Sequence, residues 1–228
     1  MKVGTDGVLL GCLASHPSPE SVARCLDIGT GTGLVALMLA QRFEGARVTG
    51  VEIDGEAAAQ AAENCEASPF AARLSVEHAD INTFAPTDGT AYDLIVSNPP
   101  YFTQSLQCPD GRRNMARHAV GLSLPDLARA CSRLLAPGGR AAIILPYDAA
   151  ESLKTAARAA GLEPTAQTTI HSNRRKPPRR AVVHLARAAE VGENGPKVEE
   201  SELTLLNLDG SNTTEYQSLA RDFYLERQ

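Results

Sequence analysis

The sequence has no tryptophan and few other aromatics, five Phe and five Tyr in 228 residues. Any aromatic pair beside a candidate site therefore carries weight. Its five cysteines, Cys12, Cys25, Cys65, Cys108 and Cys131, are odd in number and form no C-x-x-C pair. They read as small buried hydrophobes in a reducing compartment, which excludes a disulfide framework and a cysteine zinc site. The five histidines are equally scattered, so no metal is expected. No apolar run approaches the ~18 to 20 residues of a membrane span. Met1 to Asp6 has no long apolar segment behind Lys2; no secretory leader is expected, and the cytoplasm is the expected location. The net charge of −5 argues against a protein that coats nucleic acid, but a local basic patch can still bind RNA. Two clusters exist: Arg112-Arg113 with Arg117-His118, and Arg174-Arg175-Lys176 with Arg179-Arg180. Taken alone, either reads as a solvated loop.

Strand and helix patterns alternate along the chain. Val22 to Ile28 reads as a strand, Leu34 to Phe43 as a helix, and Arg47 to Ile53 as a Val/Ile-rich strand. Gly55 to Ala67 is an alanine-dense helix stopped by Ser68-Pro69. Arg73 to Glu77 and Tyr92 to Val96 are strands. Ser123, Pro125 and Asp126 start a helix through Leu135 that ends at Pro137-Gly138-Gly139. Ala141 to Leu145 is a strand, and Ala149 to Ala160 a helix with Gly161 as its C-cap. Thr165 to Ile170 and Ala181 to Ala186 then follow without a helix between them, so they can pair antiparallel. Glu190 to Glu200 is a polar connector, Leu203 to Leu208 a last strand and Thr214 to Tyr224 a final helix.

This order predicts an α/β chain with a Rossmann-like, doubly wound, mostly parallel sheet and an antiparallel strand pair at one edge. One domain is expected over 1–228, with an N-terminal cofactor-side segment (1–16), a core (22–187) and a C-terminal extension (188–228). Ligands of such sheets bind beyond the carboxyl ends of the strands. Asp27-Ile28-Gly29-Thr30-Gly31-Thr32-Gly33 lies there, between a strand and a helix, where glycines let a ligand rest against backbone. Glu52-Ile53 ends the next strand, where a carboxylate can accept from a ribose diol. Asp80-Ile81 follows the third strand, placed to meet an adenine. Dinucleotides and S-adenosylmethionine both suit this layout, and charge separates them. Asp27 repels a pyrophosphate and attracts an ammonium and a sulfonium.

Ser97-Asn98-Pro99-Pro100-Tyr101 follows the fourth strand. A conjugated amine is a poor nucleophile because its lone pair is delocalised. The Asn98 side-chain oxygen and the Pro99 carbonyl can accept both of its N–H bonds and turn the lone pair toward a methyl donor. Pro99 and Pro100 hold these acceptors extended in advance. Tyr101, with Phe102 beside it, offers a stacking face for a planar group. No general base is required, since the amine can shed its proton after the methyl has moved. Asn98 is thereby assigned to the amine and to the cofactor.

With these residues in place, the chain resembles class I S-adenosylmethionine-dependent methyltransferases that modify planar amines. That group includes adenine N6, rRNA guanine N2 and release-factor glutamine N5 enzymes. The Met1-Lys2-Val3-Gly4-Thr5-Asp6-Gly7-Val8-Leu9-Leu10-Gly11 block, the Asn64 to Ala72 segment and the closing Thr214 to Leu225 narrow the likeness to bacterial tRNA1(Val) adenine-37 N6-methyltransferases. The resemblance implies methyl transfer to the adenine 3′ of the anticodon, a single-stranded base that enters a pocket at little cost. It also places Lys2, Thr5 and Asp6 beside the methionine end of the cofactor. Members carry further residues ahead of the opening block, with an aromatic segment that helps close the cofactor site. The expected partner is tRNA, with no membrane, no metal and a monomer by default. Arg112, Arg113, Arg117, Arg174, Arg175, Lys176, Arg179 and Arg180 are the candidates to grip its phosphates, although the end of the sheet that bears the 174–180 loop is left open. The release-factor enzymes are the nearest alternative; they join a helical N-terminal domain to such a core, and none is read here. A dinucleotide-dependent oxidoreductase is opposed by Asp27, and a binding protein without catalysis by the intact Asn98 to Tyr101 run.

Overall fold

The computed structural model describes residues 4–100, 122–191 and 197–224. Eight strands, β1 (Arg24–Ile28), β2 (Arg47–Glu52), β3 (Leu74–His78), β4 (Tyr92–Ser97), β5 (Leu135–Pro146), β6 (Leu162–Asn173), β7 (Arg180–Arg187) and β8 (Glu199–Leu206), form one sheet. Their order is β3-β2-β1-β4-β5-β7-β6-β8. The first five are mutually parallel; β7 runs against both β5 and β6, and β8 is parallel to β6. All strands but β7 therefore point one way, and their carboxyl ends share one rim.

Within β1, β4 and β5 the stretches Cys25-Leu26, Leu94-Ile95-Val96 and Ala141 to Leu145 are apolar without alternation because both of their faces are covered. Cys25, Leu94, Val96, Ala142 and Ile144 enter the layer of α1 (Thr5–Leu13) and α2 (Leu34–Arg42). Their neighbours Leu26, Ile95, Ile143 and Leu145 enter the layer of α4 (Leu124–Leu134) and α5 (Ala150–Ala159), the period of two that a pleated strand imposes. α3 (Gly55–Glu66) covers β2 and β3, and α6 (Thr214–Ala220) packs on β8 and α1. The Ser123 start behaves as read, accepting the Asp126 N–H at 3.2 Å, and α3 gains a cap of the same kind in Asp54, which accepts the Ala57 N–H.

Four expectations change. No element was assigned to the opening segment, yet Thr5–Leu13 is a helix with Gly7 to Cys12 all buried. A helix buried on every side has no amphipathic period to reveal it. Val8, Leu9 and Leu10 anchor it, each contributing about 1.5–3 kcal/mol of apolar burial. α4 ends at Leu134, and β5 starts at Leu135 instead of Ala141. The Pro137-Gly138-Gly139 stop is a bulge in that strand, where pairing with β4 jumps from Tyr92–Leu135 to Leu94–Arg140 and Gly138 has φ +77°. The antiparallel pair is longer than read, and β8 lies outside it at the sheet edge, spanning Glu199–Leu206 instead of Leu203 to Leu208. The last helix closes at Ala220, with a single 3-10 turn through Phe223.

Candidate active site

β1 delivers Asp27 to the rim, and the glycine turn that follows is stitched to β2. Gly29 and Thr30 N–H groups both donate to the Val51 carbonyl, at 2.8 and 3.2 Å. Gly29 and Gly33 have φ of +69° and +84°, a region that L side chains avoid. A Cβ on Gly29 would have no atom within 4 Å, so its backbone is bare toward the crevice. Thr30 folds back and donates to Asp27 Oδ2 at 2.6 Å, and Ala36 N–H reaches the same oxygen at 3.1 Å. Asp27 is buried, and burial pushes its carboxyl up to about 6. The Thr30 and Ala36 bonds oppose that rise, and the nearby Glu52 charge adds to it.

Glu52, at the end of β2, is held by three backbone N–H groups. Gly31 donates to Oε2 at 2.9 Å, and Ile53 and Asp54 donate to Oε1 at 2.9 and 3.0 Å. Asp80 lies two residues beyond β3, with Oδ1 accepting from Asn82 N–H and Nδ2 at 2.9 and 3.0 Å. Ser97 ties the ends of β4 and β1 together by donating to the Ile28 carbonyl at 2.9 Å. Asn98 follows it, half-buried, with Pro99 buried behind it. In sheet order the rim thus presents Asp80, Glu52, Gly29, Asn98, Pro146 and Arg180.

Two hollows meet on this rim. One, of about 690 Å³, is lined by Glu52, Ile53, Asp80 and Ile81 on one side and by Pro146, Arg180 and Asp6 on the other. The other, of about 600 Å³, contains Asp27, Thr30, Thr32, Gln60 and Asn64. Gly29, Gly31 and Asn98 border both. No Lys, Arg or His lines the second hollow among the described residues, and its one charged side chain is the Asp27 carboxyl. Such walls suit a cationic group and oppose a pyrophosphate.

The structure does not bring every expected residue together. Lys2, Tyr101, Phe102, Arg112, Arg113 and Arg117 lie outside the described residues. Thr5 lines a separate cleft beside Tyr216 and Tyr224. Asp6 lines the larger hollow, where its Oδ2 accepts from Arg180 Nε at 2.8 Å. Because β6 runs parallel to β1, the 174–179 hairpin leaves by the same rim as the glycine turn. Arg174, Arg175, Lys176 and Arg179 are exposed there, and none pairs with a carboxylate among the described residues. Arg180 stands apart from these four, half-buried and turned into the hollow.

Residues 4–122 match the methyltransferase small domain. Over 226 residues, 99% of this chain and 92% of the relative, the sequence is 46% identical to the tRNA1(Val) (adenine(37)-N6)-methyltransferase of Parabacteroides distasonis. The chain belongs to this methyltransferase family. An Aeromonas hydrophila relative with the same name is 40% identical over 99% of this chain and 91% of its own length. Among solved structures, a predicted O-methyltransferase from Agrobacterium tumefaciens superposes with TM-score 0.69 at 22% identity, over 95% of this chain and 96% of the other. The CcbJ methyltransferase of Streptomyces caelestis gives 0.54 at 17% identity, over 80% and 94%. Both share the fold, the class I methyltransferase arrangement. For a member of this family, sequence reading overlooked Thr30, which donates to Asp27, and Gly50, which leaves room for the Thr30 side chain. A Cβ on Gly50 would come within 2.9 Å of the Thr30 side chain. Asn82, Leu122 and Pro146, which complete the larger hollow, carried no signal, being ordinary residues brought in by strand order.

Proposed function

We propose that this protein transfers a methyl group from S-adenosylmethionine to N6 of adenine 37 in the anticodon loop of tRNA1(Val). The observation that carries this reading is the place of Asn98, bordering both hollows between the glycine turn and the outer wall. S-adenosylmethionine, when bound, supplies an electrophilic methyl on a sulfonium. The residues present fit it. Asp27 would face its cationic end, Glu52 its ribose, and Asp80 with Ile53 and Ile81 its adenine. Three of the roughly four acceptor positions of Glu52 are occupied by N–H donors. Glu52 would therefore offer the ribose diol its remaining acceptor position.

The rest of the mechanism belongs to the chain. Asn98 Oδ1 and the Pro99 carbonyl accept the two amine N–H bonds, aim the nitrogen lone pair at the donor and stabilise the amine as it gains positive charge. Pro99 and Pro100 fix these acceptors beforehand, so the rate comes from positioning. The exposed hairpin cations on the same rim would hold the backbone of the RNA. Four described cysteines are free and buried, which supports action in the reducing cytoplasm. Purified protein, S-adenosylmethionine and unmodified tRNA1(Val) transcript should yield N6-methyladenosine by nucleoside mass spectrometry. A transcript with guanosine at position 37 should yield none. Transfer to a release-factor glutamine with tRNA left unmethylated would move the assignment to that class.

A further inference from the structure

We infer that Arg180 binds the phosphate of the nucleotide being methylated and that Asp6 is the positioning residue that orients it. The inference rests on the methyl-transfer reading above. Ser97 pairs with Ile143, and β5 then continues to Pro146, which pairs with Arg180. β5 and β7 therefore rise past the level of Asn98 and form the outer wall of the larger hollow. Arg180 stands two strands from Asn98, about 10 Å across the sheet at the ordinary strand spacing, on the side away from Glu52. That span is comparable with the separation between the exocyclic amine of a purine and the phosphate of its own nucleotide.

The guanidinium is built for such a contact. Nε donates to Asp6 Oδ2 at 2.8 Å, and Nη1 donates to the Arg179 carbonyl at 3.0 Å. Nη2 has no partner among the described residues. The group is thus fixed on one side and open on the other, within a hollow whose remaining outer wall is Pro146 and Leu122. A held, partly desolvated guanidinium favours a phosphate oxygen over bulk anions, because its orientation is already set. Asp6 belongs to the first turn of α1, a helix anchored by buried Val8, Leu9 and Leu10. The opening block of the chain thereby fixes a residue 174 positions away. The four solvated hairpin cations can serve any stretch of RNA; Arg180 acts on one phosphate.

The test uses full-length tRNA1(Val) ligated from synthetic halves, with one neutral methylphosphonate at the phosphate of residue 37, or at a neighbouring phosphate as control. The full-length protein is assayed for kcat/KM on each. The expected result for wild type is a loss of about 10- to 100-fold for the neutral linkage at position 37 only. Arg180→Ala should lose a similar factor on all-phosphate tRNA and be indifferent to the linkage at 37, so the two losses do not multiply. Asp6→Ala, which frees the guanidinium, should reduce the sensitivity of the enzyme to that linkage without abolishing it. Losses that multiply, or a wild type that tolerates the neutral linkage at 37, would overturn the inference, and the wild-type arm does so whether or not any variant folds. The all-phosphate wild-type reaction reports separately on the methyl-transfer reading.

Discussion

Replacing Asp27 by Asn separates what the residue does for the fold from what it does for the cofactor. Asp27 is 1% exposed, and burial raises its carboxyl from 3.8 to about 6. The native state therefore binds its proton more tightly than the unfolded chain does. Above pH 6 the ionised carboxylate weakens the fold by about two pKa units at 1.36 kcal/mol each, about 3 kcal/mol. The cost shrinks as pH falls from 6 to 4 and vanishes below the unfolded value of 3.8. An Asn carbonyl can accept the same Thr30 and Ala36 donors without a buried charge. Asp27→Asn should thus be more stable than wild type at pH 7.5, by an amount approaching that figure, and equal to it near pH 4. Urea unfolding of both proteins across pH 4 to 8 reads the difference directly. Affinity for S-adenosylmethionine, by titration calorimetry at pH 7.5, should fall by about 10- to 100-fold, since a charged partner is lost. A stability difference that does not change with pH would refute the argument. So would a variant that is less stable at pH 7.5 and binds the cofactor normally.

Asn98→Ala should cut kcat by about 10² to 10³ with cofactor affinity within a few-fold, whereas Glu52→Ala should weaken cofactor affinity, by about 1–2 kcal/mol or more, with a smaller effect on the saturated rate; kinetics and calorimetry on the pair check the division of labour. Gly50→Ala should displace Thr30 and cost about 1–3 kcal/mol by thermal or urea unfolding, along with cofactor affinity, because the Thr30 side chain lies 2.9 Å from the added Cβ; wild-type stability and binding would show that the turn yields freely. Replacing Arg174, Arg175 and Arg179 together by Ala should weaken tRNA binding and flatten the slope of log affinity against log salt by about two units, leaving cofactor binding intact. An unchanged slope in filter binding would remove the hairpin from the RNA surface.

The sheet and the carboxylates along its rim were legible because their signals are local. Asp27, Glu52 and Asp80 each lie at or just past the end of a strand that reads from its own residues, and parallel strands bring their carboxyl ends together. α1 was not legible because no face of it meets water over Gly7 to Cys12. Pro137-Gly138-Gly139 reads as a helix stop because the same three residues that end a helix also fit a bulge within a strand. The end of the sheet bearing the basic hairpin depends on the direction of β6, which only the pairing of β7 with both neighbours fixes. The Asp6–Arg180 contact joins residues far apart in the chain. Sequence reading set Asp6 beside the cofactor and Arg180 among the cations for RNA, with nothing local to join the two, and the position of β8 outside the antiparallel pair rests on a similar long-range pairing with β6.

The reaction proposed for this chain is methylation of N6 of the adenine 3′ of the anticodon. Its most direct test is nucleoside mass spectrometry of tRNA1(Val) purified from the source strain, from a strain lacking the gene, and from that strain complemented with wild type or Asn98→Ala. N6-methyladenosine is expected at position 37 in the source strain, with its loss on deletion and its return with wild type and not with Asn98→Ala. Unaltered modification of that tRNA in the deletion strain would contradict it.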